Sequence, residues 1–184
     1  MEELNKKKFV LDLLINIAIP IILLLKFSNF FGPLNTFFVA LAFPLSYGLY
    51  DFFKEKKVNA YSIIGIFGII VTAGIGLLKL SPEFIAIKEG LVPLAIGIGA
   101  IVLQKSENIM KKMLDKILDL KKLYKAFKRK NELDSLISKS TYIFVSGFFA
   151  SAVLNFLIAK IVVAAEPGTV LFNEQYALLT LLNF

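Results

Sequence analysis

The chain of 184 residues contains no cysteine and no histidine, and Arg129 is its single arginine. The first two absences remove disulfides, thiolate nucleophiles, imidazole acid–base catalysis and most zinc, copper or haem ligation. A lone guanidinium offers little for bidentate phosphate recognition. Charge is scarce too, at 19% of residues, where a soluble domain carries about 25%. Apolar residues fill the space: 57% of the chain is hydrophobic, with a mean hydropathy of +0.74. They form long blocks at 9–25, 34–53, 61–78, 91–103 and 142–164. A helix needs ~20 apolar residues to cross a ~30 Å hydrocarbon core. Only helices and closed barrels satisfy their backbones in lipid, and continuous rather than alternating blocks argue against a barrel. The expected fold is therefore all-α, an integral membrane helical bundle forming one domain over 1–184.

Five spans are expected, at about 9–27, 34–53, 60–79, 82–104 and 141–164. Lys6, Lys7 and Lys8 flank the first like a signal peptide. That stretch is too long and lacks a small-residue cleavage pattern, so it reads as a retained span. Ser81-Pro82 suits the start of the fourth, as N-cap and first helical residue. Seventeen of the 21 basic residues fall before the first span, between the second and third, or between the fourth and fifth. Basic residues concentrate in cytoplasmic loops, so the N-terminus is expected to face the cytoplasm.

Between the fourth and fifth spans, an amphipathic connector is expected at about 107–137. Met110, Met113, Ile117, Leu120, Tyr124 and Phe127 make one apolar seam at helical spacing. Its lysines fit anionic headgroups along 105–139, with a helix on the cytoplasmic leaflet favoured over a coiled-coil seam. Nucleic acid is not an expected partner, since any lysine-rich helix looks the same. After the fifth span, Asn173 is expected to cap an incomplete sixth helix at 173–184, too short to cross.

Polar residues interrupt the greasy blocks. Asp12, Asn16 and Pro20 fall four residues apart, which stacks them on one helical stripe. Pro20 frees the Asn16 carbonyl, and the Asn16 amide needs a partner on another helix. The stripe should face protein, with Asp12 paired to Lys8. Asp51 lies at a matching depth near the end of the second span, so Asp12 and Asp51 could share a vestibule. Glu89 is expected to pair with Lys88 or Lys160, because an intramembrane charge is costly alone. Lys160 can also snorkel outward. Gly147, Ser151, Asn155 and Ala159 form a small-residue stripe, and Asn155 should bridge helices. The glycines of the third and fourth spans read as close packing, since no phosphate-loop context surrounds them. No metal, cofactor or nucleophile–base pair is legible.

Three stretches resemble a known family. "FVLDLLINIAIP", "KEGLVPLAIGIGAIVLQKSE" and "SAVLNFLIAKIVV" followed by "EPGTVLFNEQ" are similar to a family of uncharacterised bacterial inner-membrane proteins. That family is distantly similar to the intracellular septation protein A group. The resemblance implies a bacterial cell-membrane protein tied to the envelope or division, one further span after the "FNEQ" region, and no catalytic residue. The expected function is non-enzymatic, through a membrane-protein partner or a second copy of the chain. The alternative is a small transporter or channel lined by Asp12, Asn16, Asp51, Glu89, Asn155 and Lys160.

Overall fold

The computed structural model describes residues 10–55, 60–106, 111, 114, 115, 122, 124 and 130–183. All regular structure among them is helical. The elements are α1 (Val10–Phe31), α2 (Pro33–Glu55), α3 (Ala60–Leu77), α4 (Glu83–Ser106), α5 (Lys130–Val162) and α6 (Val170–Leu182). Three stretches are long and apolar enough to cross a membrane: Val10–Phe31, Glu83–Val102 and Asn131–Val162. α2 and α3 coincide with the second and third expected segments as helices. The apolar part of α3, Gly65–Leu77, is shorter.

Local chemistry sets the helix ends. Gly32, at φ +80°, takes a left-handed turn open to glycine, and Pro33 starts α2 where its missing N–H costs nothing. Thr36 steadies this turn by donating to the Gly32 and Phe27 carbonyls at 2.9 and 3.2 Å. α3 ends in a Schellman motif, with Leu80 N–H on Ile75 O and Lys79 N–H on Gly76 O. Lys79 occupies its left-handed position at φ +48°. The Ser81 side chain accepts from Glu83 N–H at 3.4 Å, consistent with an N-cap, and helical structure begins at Glu83.

Two expectations about helix ends are corrected. α5 is already helical at Lys130, ahead of 141, and at 1.5 Å per residue its 33 described residues reach about 50 Å. Residues 130–137, assigned to the connector, are continuous with it. Lys111, Leu114, Asp115, Lys122 and Tyr124 of the connector are helical. Met110, Met113, Ile117, Leu120 and Phe127 lie outside the described residues. Asn173 does not cap α6. Thr169 does so from extended backbone, its hydroxyl accepting from Phe172 N–H at 3.1 Å, because the extended chain after Pro167-Gly168 reaches Thr169 first.

The chain divides into two compact units. Residues 1–89 and 155–184 form one, whose core joins Ile21, Leu24, Phe37, Ala40, Leu41, Ile75, Ile85, Ala86, Ala159, Val163, Phe172, Ala177 and Leu179. Phe37 is its hub, edge-on to Phe172 and Tyr176 with ring centroids 5.4 and 5.5 Å apart. A Cβ on Gly76 would come within 2.5 Å of the Phe37 ring; only glycine lets α3 pass there.

Residues 90–154 form the second unit. In it Gly97 admits Phe148, whose Cβ would lie 3.2 Å from an added methyl group. Tyr124 donates to Asp134, and Lys111 lies 3.5 Å from the same carboxylate and over the Tyr124 ring. The Tyr124 hydroxyl is the main reason the Lys111 ammonium is held above its ordinary range. Gly65, Gly68, Gly74, Gly99 and Gly147 have nothing within reach of an added Cβ. Gly76 and Gly97 differ from these five in having a ring or its stem directly opposite.

Candidate functional site

The polar groups inside the apolar helices gather at three places in the first unit. The first lies where α1 begins. Pro20 lacks the N–H that would bond Asn16 O, and the ladder before it slips by one residue: Leu14–Ala18 is a π turn, closed by Ile19 N–H on Leu14 O. The expected freed carbonyl is thus accommodated by a local change of helix type, a common relief at such points. The stripe faces protein. Asp12 and Asn16 are half-buried and Pro20 is buried. Asp12 accepts a hydrogen bond from the Tyr47 hydroxyl of α2 at 2.5 Å. Lys8, its expected partner, lies outside the described residues. Asp51 is helical in α2, one turn beyond Tyr47, and its side chain lies outside them too.

Asn16 and Asn155 are both half-buried and make no hydrogen bond with any described residue. The helix-bridging contact expected of each amide is not seen among the described residues, and both positions are partly buried. Asn155 sits one turn before fully buried Ala159, which is the contact residue of that stripe.

The second place is the junction of α3 and α4, about 8 Å from the turn joining them. Lys88 and Glu89 form an ion pair at 2.5 Å, with side chains only 13% and 17% exposed. The Lys88 ammonium also donates to the Thr72 hydroxyl of α3 at 3.1 Å. Thr72 in turn donates to Gly68 O at 2.8 Å, which leaves its lone pairs free to accept. Glu89 therefore pairs with Lys88, not with Lys160. Lys160 is exposed, with its ammonium 5.9 Å from the Phe156 ring centre. Its long stem reaches outward, while Lys88 gains two acceptors by staying inside.

The third was not anticipated as a site. Asn173, fully buried on α6, donates to Ser28 Oγ of α1 and to Pro33 O of α2, both at 2.8 Å. Ser28 in turn donates to Leu24 O at 2.6 Å. The Asn173 Oδ1 has no partner. Two residues on, Gln175 Oε1 accepts from Ala164 and Ala165 N–H at 3.0 and 2.8 Å, satisfying amides just past the end of α5. The signal in the sequence was an amide five residues after a Pro-Gly break, read as a cap because caps are the commoner use.

These arrangements neutralise and tie. Among the described residues no cluster of carboxylates suits a metal ion. Comparison with protein-family models, curated proteins and solved structures finds no match.

Proposed function

We propose that the chain is a multi-pass protein of a bacterial inner membrane that acts by holding partners in the envelope or division machinery. One observation carries this reading: the core charges and amides engage one another, Lys88 with Glu89 and Thr72, Asn173 with Ser28 and Pro33. A transport path needs such groups turned toward a hydrated route, whereas these are turned toward neighbouring helices. α2 and α3 add two crossings to the three long apolar helices, for five in all. The lysine distribution supports a cytoplasmic N-terminus, with 105–139 near anionic headgroups. Detergent-mild pulldown of the tagged chain should recover an envelope or division protein, and deletion should alter cell shape. Recovery of neither kind of protein, in deletion cells of normal shape, ends this reading. Because the chain has no native cysteine, single cysteines introduced at 105 and 139 report the orientation; labelling from outside the cell would reverse it.

Asn16 and Asn155, half-buried and without a described partner, favour a second reading, a small transporter or channel. Flux in liposomes that Asn16→Leu and Asn155→Leu abolish would replace the first reading with the second.

A further inference from the structure

We propose that a furrow between α1 and α2 holds an acyl chain of a zwitterionic aminophospholipid, with the lipid ammonium on Asp12. The furrow encloses about 460 Å³ and is lined by Ile15 of α1 and by Val39, Ala42, Phe43, Ser46 and Tyr47 of α2. The five α2 residues recur at three- and four-residue intervals, so they share one face. Ala42 and Ser46, both small and one turn apart, stand among the larger Val39, Phe43 and Tyr47. Val39 is 50% and Phe43 39% exposed, so the described residues of this unit leave the face open. Both helices are irregular at this level, α1 by its π turn at Leu14–Ala18 and α2 by Pro44. Such features bend helices away from straight packing.

Charge selects the occupant. Tyr47, a wall of the furrow, donates to Asp12 Oδ1, while Asp12 Oδ2 accepts nothing from a described residue. Asp12 lies four residues after Lys8, the last of the basic flank Lys6–Lys8, about 6 Å along a helix, and so near the lipid headgroups in the membrane placement proposed above. A carboxylate there accepts charge-assisted hydrogen bonds from a primary ammonium. It repels the net negative charge of phosphatidylglycerol, and it meets no N–H donor in phosphatidylcholine. Lys8, four residues before Asp12 in the sequence, offers a cation without an acyl chain, whereas phosphatidylethanolamine brings chain and cation together.

The inference rests on the membrane placement of α1 and α2 proposed above, so resistance to alkaline extraction is measured first. A chain that alkali strips from membranes loses that placement, and the lipid site with it. The full-length protein in mild detergent is then titrated separately with phosphatidylethanolamine, phosphatidylglycerol and phosphatidylcholine, read by native mass spectrometry. The expected result is a preference of about tenfold for phosphatidylethanolamine, the scale of one charge-assisted hydrogen bond. Asp12→Asn should erase the preference while acyl binding persists, and Ala42→Phe should lower occupancy by all three lipids. Equal or tighter phosphatidylglycerol binding overturns the proposal, as does an unchanged preference in Asp12→Asn. Efficient Ala42→Cys cross-linking into dimers also overturns it, by placing a second copy in the furrow. If Ala42→Phe fails to fold, the Asp12→Asn comparison decides alone.

Discussion

The two ends of the α1–α2 hairpin are built on opposite plans. At the turn end, three connections gather. A methyl group on Gly168 would lie within 4 Å of Lys79 from the α3–α4 turn and of Leu34 from the start of α2. Asn173 fastens α6 to that end through two hydrogen bonds, and Phe37, Phe172 and Tyr176 fill the space beneath. At the other end the Tyr47 hydroxyl donates to Asp12 across α1 and α2 beside an open furrow. Lipid tails are as apolar as leucine, so apolar surface alone does not draw helices together in a membrane. Shape and hydrogen bonds must do so. At the turn end the described residues supply both, whereas beside the furrow they supply the hydrogen bond without the close fit.

The largest effect should come from the ion pair near the closed end. Lys88→Met leaves Glu89 without its cation in an apolar core, and breaking a buried pair typically costs about 3–5 kcal/mol. Lys88→Met combined with Glu89→Gln removes both charges and should recover most of that loss. Thermal unfolding in detergent, run on both variants, separates pairing from mere volume. Equal destabilisation by the single and the double variant would mean that pairing contributes little there.

Packing at the same end comes next. Gly76→Ala drives a methyl group into the Phe37 ring, which is 1% exposed and hemmed in by Phe172 and Tyr176. Overpacking of this kind costs about 1–3 kcal/mol. Phe37→Leu in the Gly76→Ala background should restore part of it by vacating the contact. Gly147→Ala, where nothing lies within reach, serves as the control and should be near neutral. A loss at Gly147 matching that at Gly76 would dissolve the distinction between tight and open glycines.

Much of this architecture is legible in the residues, and what is not has a physical reason. Continuous apolar blocks locate the helices because backbone satisfaction in lipid leaves little alternative. Pro20 announces a broken ladder, since a missing N–H is a local property; that the break takes the form of a π turn depends on neighbours. Partner choice is harder. Lys88 and Lys160 look alike in sequence, yet only Lys88 has Thr72 beside it, a contact set by how α3 meets α4. Asn173 resembles a cap because its role comes from Ser28 and Pro33, 145 and 140 residues away. The glycines are equally ambiguous until the opposing ring is known. The helical stretch of α5 ahead of 141 is missed because it is polar, and hydropathy marks the apolar length of a helix and not its full extent.

The hydrogen bonds themselves give the finest comparison. Asn173→Ala removes both donations from a fully buried amide and leaves the part-buried Pro33 O without that donor, which should cost about 1–3 kcal/mol. Ser28→Ala should be milder, because the Asn173 donation to Pro33 O survives. Tyr47→Phe at the open end removes one hydrogen bond from a half-buried carboxylate that water or a headgroup can satisfy, so about 0.5–1 kcal/mol is expected. Unfolding midpoints of the three variants, measured in one detergent, should fall in that order. If Tyr47→Phe proved as damaging as Asn173→Ala, the Asp12 end would be a second fastening of the hairpin. The furrow beside it would then have to hold α1 and α2 together as firmly as the turn end does, and an entering lipid would have to part them.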